Sequence, residues 1–425
     1  MRKAEPRRIE VWADWAKSKH PIAVGLLHEI PSRGSEIFSF EYDKKWLEGN
    51  EAQSLDPALR LYRGRQYTPE GQENFGIFLD SSPDRWGRLL MKRREAHMAR
   101  EESRPEHRLL ESDYLLGVYD RHRMGALRFR TEPNGPFLDD NKLMASPPWT
   151  SLRELEYASL ELEREGAEKK RDYGKWLKML IAPGASLGGA RPKASVVDSA
   201  GNLWIAKFPS RHDDVNIGAW EEVINRLASL AQIRTAPSQV RKLSGRHHTF
   251  LTKRFDRTSA KRRIHFASAM TLLQRSEGYD ASKGASYLEI AEFIMREGAS
   301  PEKDLEQLWR RIVFFICVSN VDDHLRNHGF LLEPTGWRLS PSFDMNPVAF
   351  GDGLNLNISE TDNTQSLELA QEVSFHFRVK TVMAKKIIRE TVSKVKDWRA
   401  IASSLKINAN EREKMATAFR IADRY

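Results

Sequence analysis

Two short polar segments in the last third of the chain hold the residues best suited to chemistry. The first is Asn320-Val321-Asp322-Asp323-His324-Leu325-Arg326-Asn327, and the second is Pro341-Ser342-Phe343-Asp344-Met345-Asn346-Pro347. Asp322, Asn327 and Asp344 together offer hard oxygen ligands for Mg²⁺. Asp322 also offers a carboxylate that can take a proton from an attacking hydroxyl. Phosphoryl transfer asks for these parts, plus a lysine on the phosphates and a flexible cradle around them. His324 and His328 beside Asp322 and Asp323 raise zinc as a competing use. No second His/Cys cluster stands nearby and Cys317 is the single cysteine, so a zinc site does not follow. His324 is expected to hold the loop by hydrogen bonding. A Ser-His-Asp hydrolase is set aside for want of a nucleophile elbow.

The cradle candidate is Gly184-Ala185-Ser186-Leu187-Gly188-Gly189-Ala190-Arg191-Pro192-Lys193. Glycines let backbone N–H groups approach phosphate oxygens without a Cβ in the way. Gly184 and Gly189 have the spacing of a P-loop, but Ala190 and Arg191 stand where Lys and Ser/Thr belong, so that motif fails. Taken alone, the segment reads equally as a tight turn or a nucleotide loop. The lysine candidate is Lys207, ending the apolar run Trp204-Ile205-Ala206 shortly after the glycines. It has the placement of the V-A-I-K lysine of kinases; a lysine snorkelling from a sheet edge is the local alternative. Glu221 or Glu222, on the helix that follows, could pair with it. The kinase catalytic loop sets its base Asp five positions before a metal-binding Asn, the separation of Asp322 and Asn327. Asp344 follows where a DFG-like metal ligand belongs.

These residues need elements to position them, and the chain reads as three regions: 1–145, 146–260 and 261–425. The first opens with strand-like Ala23 to His28 and Ile37 to Tyr42, parted by the turn Pro31 to Ser35. Ser82-Pro83-Asp84 then starts a helix over Arg85 to Arg100. A proline-bearing stretch, Thr131 to Ser151, links it to the second region. That region holds a charged helix over Leu152 to Lys170, then the glycine segment. Strands Ala194 to Val197 and Leu203 to Phe208 follow, joined by the hairpin turn Asp198 to Asn202. A helix over Ala219 to Ala231 and strand-like sequence to Phe255 complete it. The third region is mostly helical by period, as at Leu288 to Arg296 and Asp304 to Val318, and the two polar segments interrupt it. This order predicts an α+β, bilobal, protein-kinase-like fold: a small β-rich N-terminal subdomain, a nucleotide-binding lobe and a largely helical C-terminal lobe.

Composition narrows the class. The chain has 425 residues, 40% apolar and 30% charged, an ordinary globular balance long enough for more than one core. No run approaches the apolar length of a membrane span, the first residues lack a signal-peptide core, and one cysteine fits a reducing cytosol. A cytoplasmic protein without membrane contact is expected. Cys317 sits in the apolar run Ile312 to Val318 and reads as core filler. The net charge of +9 favours a polyanion or an acidic partner, though its clusters, such as Lys92-Arg93-Arg94 and Lys261-Arg262-Arg263, are scattered.

The motifs together resemble those of the HipA family of toxin kinases. Ser186 to Lys193 is similar to its glycine loop, Lys253-Arg254-Phe255-Asp256-Arg257 to its hinge, and the two polar segments to its catalytic and metal segments. Phe40 to Leu47 and Phe75 to Arg88 resemble its N-terminal subdomain, so the likeness spans most of the chain. The resemblance implies an ATP- and Mg²⁺-dependent serine/threonine-protein kinase, the toxin of a bacterial toxin–antitoxin pair. Asp322 would be the catalytic base, with Asn327 and Asp344 on Mg²⁺. ATP would meet Gly188, Gly189, Ala190, Arg191, Pro192, Lys193, Lys207, Lys253, Arg254, Phe255 and His324. Ser186 matches the position of autophosphorylation. Family members phosphorylate an aminoacyl-tRNA synthetase, typically the glutamyl enzyme, which stalls translation and promotes dormancy. They are held by a small helix-turn-helix antitoxin of the HipB type, through which they meet DNA. A catalytically silent co-repressor acting with that antitoxin is the alternative.

Overall fold

The computed structural model describes residues 6–15, 18–32, 34–49, 52–140, 147–184, 189 and 191–425, with 182–184 described by their backbone alone. They form two compact units. One comprises Met1–Arg211, Leu243–Gly245 and Asp256–Ala267; the other comprises His212–Lys242, Arg246–Phe255 and Ser268–Tyr425.

The first unit opens on an antiparallel sheet of β1 (Arg7–Ala13), β2 (Ile22–Ser32), β3 (Ser35–Tyr42), β4 (Gln66–Tyr67) and β5 (Leu127–Arg130), in the order β4-β3-β2-β1-β5. Alternation sends Ile9, Val11, Leu27, Phe38 and Phe40 to one buried face, as a half-covered sheet requires. Phe40, Phe75 and Phe129 each bring a ring within about 6 Å of Phe78. Gly25 is needed where it stands, because a Cβ there would lie 2.2 Å from the Glu41 carbonyl oxygen. Helix α1 (Arg85–Glu101) is capped by Asp84, whose carboxylate accepts the Gly87 N–H at 2.9 Å.

The helix expected over Leu152 to Lys170 fills only the first part of that span, and a second helix follows beyond it. α2 (Leu152–Leu162) stops early, Gly166 turns left-handed at φ 69°, and α3 (Tyr173–Gly184) starts afresh. The charge-rich sequence Glu163-Arg164-Glu165 hid the break, since charge alone does not end a helix. After the glycine segment, β6 (Lys193–Val197) and β7 (Leu203–Lys207) form the expected hairpin, in register Lys193↔Lys207 to Val197↔Leu203. Its turn is held by Asp198, which accepts from the Asn202 N–H, the Asn202 side chain and the Trp204 indole at 2.8–2.9 Å.

The second unit is mainly helical. α4 (Ile217–Leu230) precedes a hairpin of β8 (Ser238–Arg241) and β9 (Thr249–Lys253). Then come α5 (Tyr287–Glu297), α6 (Pro301–Val318), the hairpin β10 (Gly329–Glu333) and β11 (Gly336–Leu339), and α7 (Thr381–Val395). α5 begins with a capping box of Ser286 and Glu289, and α6 with Pro301 in its first turn. α6 is the spine of this unit: every residue from Leu308 to Val318 is buried. Cys317 lies within it, its thiol pushed up to about 12 by burial, which suits an inert packing residue. Among the described residues no helix is long and apolar enough to cross a membrane.

Candidate active site

The end of α6 starts the site. Ser319 takes the left-handed conformation at φ 49° and closes the helix. Its hydroxyl donates to the Ala418 carbonyl at 2.9 Å and accepts from the Arg420 guanidinium at 3.1 Å. The loop that follows therefore leaves the helix at a fixed point rather than fraying.

That loop sorts two adjacent aspartates into opposite environments. Asp323 is 2% exposed, and one of its oxygens accepts from the Tyr287 hydroxyl at 2.8 Å and from His328 Nε2 at 2.6 Å. Burial, with the Asp323 charge beside it, drives the Tyr287 hydroxyl well above its usual range, so it stays protonated and donating. Asp322 is exposed. Its carbonyl, not its carboxylate, is the anchored part, accepting from the Asn327 side chain at 3.1 Å and the His324 N–H at 3.2 Å. With Nδ2 of Asn327 spent on that carbonyl, Oδ1 is the atom left to ligate a cation.

The second polar segment is tied to the first. The Asn320 side-chain oxygen accepts the Asn346 N–H at 2.9 Å, and the Ser319 carbonyl accepts the Val348 N–H at 3.1 Å. Asp344 sits between these ties and the N–H of Ser342, which donates to the Arg234 carbonyl at 2.7 Å. Its backbone is left-handed at φ 57°, a conformation a non-glycine residue holds only where its surroundings demand it. Of the expected hinge, Lys253 to Phe255 belong to this unit and Asp256 and Arg257 to the other: the Lys253 N–H donates to the Pro237 carbonyl at 2.8 Å, Arg254 is buried, and the Phe255 ring lies 5.5 Å from that of Phe343.

The donor chemistry fits Mg²⁺. Among the described residues no group of three or more His, Cys, Asp or Glu is gathered for a metal. Asp344 and Asn327 offer one carboxylate and one amide oxygen, hard donors of the kind Mg²⁺ takes. Buried side-chain atoms without partners lie in these same segments: Asn320 Nδ2, His324 Nδ1 and Asn346 Oδ1. Sequence reading missed Asn320, Asn346 and the Tyr287–Asp323–His328 set as positioning groups. The closeness of Asn320 and Asn346 to the chosen acids was the available clue.

Lys207 and the described residues of the glycine segment lie in the first unit. Lys207 ends β7 opposite Lys193. Lys193 itself is buried, its ammonium 3.1 Å from the Asp84 carboxylate, with side-chain exposures of 2% and 4%. Pro192 is buried and its carbonyl accepts the Phe208 N–H at 2.8 Å, while Arg191 reaches the Phe208 carbonyl at 3.4 Å. Gly189 has φ 95°, a backbone open to glycine alone. Ser186, Gly188 and Ala190 lie outside the described residues. Glu222, offered as a partner for Lys207, accepts from Arg226 and from Ser238, each at 2.7 Å. The sequence does spell G-x-S-x-G, from Gly184 to Gly188. A nucleophile elbow needs a strand before that pattern and a helix after it. Here α3 precedes it and β6 follows, so the hydrolase reading stays set aside.

A family model described as the HipA-like C-terminal domain matches residues 185–399, just over half of the chain. The chain belongs to the HipA family. No curated protein sequence matches it. Among solved structures it is similar to HipA in the Shewanella oneidensis MR-1 toxin–antitoxin complex of HipA, HipB and operator DNA. That match has a TM-score of 0.67 at 17% identity over 98% of this chain and 97% of the other. It is also similar to the Helicobacter pylori proinflammatory kinase CtkA, with a TM-score of 0.36 at 14% identity over 56% of this chain and 93% of that one. The fold is the mixed α+β fold of HipA in that complex. The segment matched by the family model carries every candidate residue from Ser186 to Asp344.

Proposed function

We propose that this HipA-family protein is an ATP- and Mg²⁺-dependent serine/threonine-protein kinase serving as the toxin of a toxin–antitoxin pair. The observation that carries the reading is the sorting of Asp322 and Asp323. One carboxylate is exposed at the tip of a loop whose backbone is anchored on both sides, and its neighbour is spent on holding that loop.

In this reading Asp322 accepts the proton of a Ser or Thr hydroxyl as its oxygen attacks the terminal phosphorus of ATP. The bond to the leaving oxygen of ADP then breaks, and the proton stays on Asp322 until product leaves. Asp344 and Asn327 Oδ1 would hold Mg²⁺, which supplies positive charge to the phosphates. Lys207 keeps the phosphate-holding role that the family resemblance gives it, and Phe255 the role beside adenine. Ser186 is the proposed site of self-modification, and an aminoacyl-tRNA synthetase the proposed protein target. A helix-turn-helix antitoxin is the proposed partner, by analogy with the HipB and operator DNA in the Shewanella complex; through it the surplus positive charge would meet DNA.

Mass spectrometry of the protein and its co-incubated targets after exposure to Mg-ATP tests the assignment. Added phosphate, absent in Asp322→Asn, supports it. Added AMP would mean nucleotidyl transfer. An unmodified product with intact binding of antitoxin and operator would mean a silent co-repressor.

A further inference from the structure

Beyond the candidate acids, one side chain of the second unit is both strained and offered to solvent. Phe350 is 80% exposed, the most exposed aromatic ring among the described residues. Its backbone is left-handed at φ 63°, a region that L-residues with bulky side chains avoid. Burying a ring can repay such strain; here the ring is not buried.

The backbone around Phe350 is fixed from both sides. Upstream, the Val348 N–H donates to the Ser319 carbonyl at 3.1 Å. Downstream, the Gly351 carbonyl accepts from Arg420 at 3.1 Å and from Gln365 at 3.2 Å. Arg420 also holds the Ser319 hydroxyl, so one guanidinium clamps the start of the candidate catalytic loop to the residue after Phe350. Gly351 sits so close to Val321 that a Cβ would meet the valine side chain at 2.6 Å. Val321 immediately precedes Asp322. A rigid, strained turn thus presents an exposed ring one residue from a contact with the loop that carries the proposed base.

We propose that Phe350 is a specificity-determining residue that receives an apolar side chain of a polypeptide substrate flanking the acceptor Ser or Thr. This rests on the kinase reading and adds the substrate class: a peptide segment with an apolar residue at one fixed distance from the phosphorylated hydroxyl. Strained, clamped turns that expose an apolar group cluster at binding sites because the surroundings hold what the turn itself disfavours. The ring gains its covering surface only when the substrate docks.

The test uses the full chain with Mg-ATP and a degenerate Ser/Thr peptide library in which each flanking position is varied. Wild type is expected to select apolar residues at one flanking position. Phe350→Gly is expected to raise KM for the selected peptide about tenfold, the effect of uncovering most of one apolar side chain, with kcat retained. Phe350→Leu should restore selection. Because glycine accepts φ 63° without strain, Phe350→Gly should melt at or above the wild-type temperature. A clearly lower Tm would make Phe350 a packing residue and overturn the proposal. Phosphorylation by wild type without apolar selection, or selection unchanged in Phe350→Gly, overturns the proposal and leaves the kinase reading standing. No transfer by wild type to any library member while it still phosphorylates itself overturns the proposal alone; no transfer to the library or to itself overturns both.

Discussion

Adjacent aspartates give the sharpest prediction, because replacing each one should break a different property. Asp323→Ala removes the oxygen that accepts from both the Tyr287 hydroxyl and His328 Nε2. Both donors are buried, at 0% and 1% exposure, so neither finds water in exchange. Each stranded donor costs about 1–3 kcal/mol, and removing one partner of a buried charged set costs about 3–5 kcal/mol in total. For a unit of this size the loss corresponds to a Tm lower by roughly 6–20 °C. Asp322→Ala touches no side-chain hydrogen bond among the described residues, and its carbonyl contacts survive the substitution. Its stability should stay within about 0.5 kcal/mol of wild type, while phosphoryl transfer falls about 10²–10⁴-fold. Thermal denaturation and transfer of labelled phosphate from ATP, on both variants, check the pair. If Asp322→Ala melts as early as Asp323→Ala, the exposed carboxylate is structural and the sorting argument fails. If Asp322→Ala keeps near-normal transfer, the base has been misassigned.

Three further outcomes follow. Asp344→Ala should weaken Mg-ADP binding more than binding of metal-free ADP, measured by calorimetry; equal losses would make Asp344 a structural residue. Lys193→Met should lower Tm by uncovering the buried Asp84 carboxylate, at about 3–5 kcal/mol; an unchanged Tm with lost ATP affinity would return Lys193 to the nucleotide. His265 is buried with its imidazole driven down to about 3 by desolvation. The unfolded chain binds a proton there below about pH 6.5 and the native chain does not, so stability falls with falling pH, by about 2 kcal/mol between pH 6.5 and 5. Denaturant titrations across that range should show a shallower pH slope in His265→Phe; identical slopes would refute the assignment.

Local patterns in the sequence were legible, and pairings over distance were not. The hairpin of β6 and β7 was readable because Asp198-Ser199-Ala200-Gly201-Asn202 carries its own turn chemistry, and Asp198 does close that turn. α6 was readable from its apolar period over Asp304 to Val318, although the helix starts one turn earlier, at Pro301. The spacing of Asp322 and Asn327 could be seen, and it placed both on one loop. The break after α2 escaped because its cause is a left-handed Gly166 within a run of good helix formers. The position of Lys193 escaped for a different reason. A lysine after glycines and proline suggests a phosphate ligand, yet its partner Asp84 lies 109 residues earlier, and nothing in the local sequence reports it.

The burial of Asp323 links stability to function in the second unit. Desolvating a carboxylate is costly, and an apolar residue at that position would pack without the penalty. What the carboxylate supplies instead is direction. By holding Tyr287 at the start of α5 and His328 just before β10, it fixes the loop to two separate elements. Asn320 then fixes the same loop to the Asp344 segment. With three elements converging on one short turn, Asp322 can stay solvated and chemically available without becoming mobile. A base on a loose loop would lose most of the advantage of position. Asp323→Asn separates these contributions. An amide can still accept from one of the two donors, so most of the fold should survive, while the loop loses one anchor. Transfer should then fall more than stability does, with a larger drop in kcat than in affinity for Mg-ATP. A variant with wild-type kcat and lowered Tm would show that the anchors serve the fold alone.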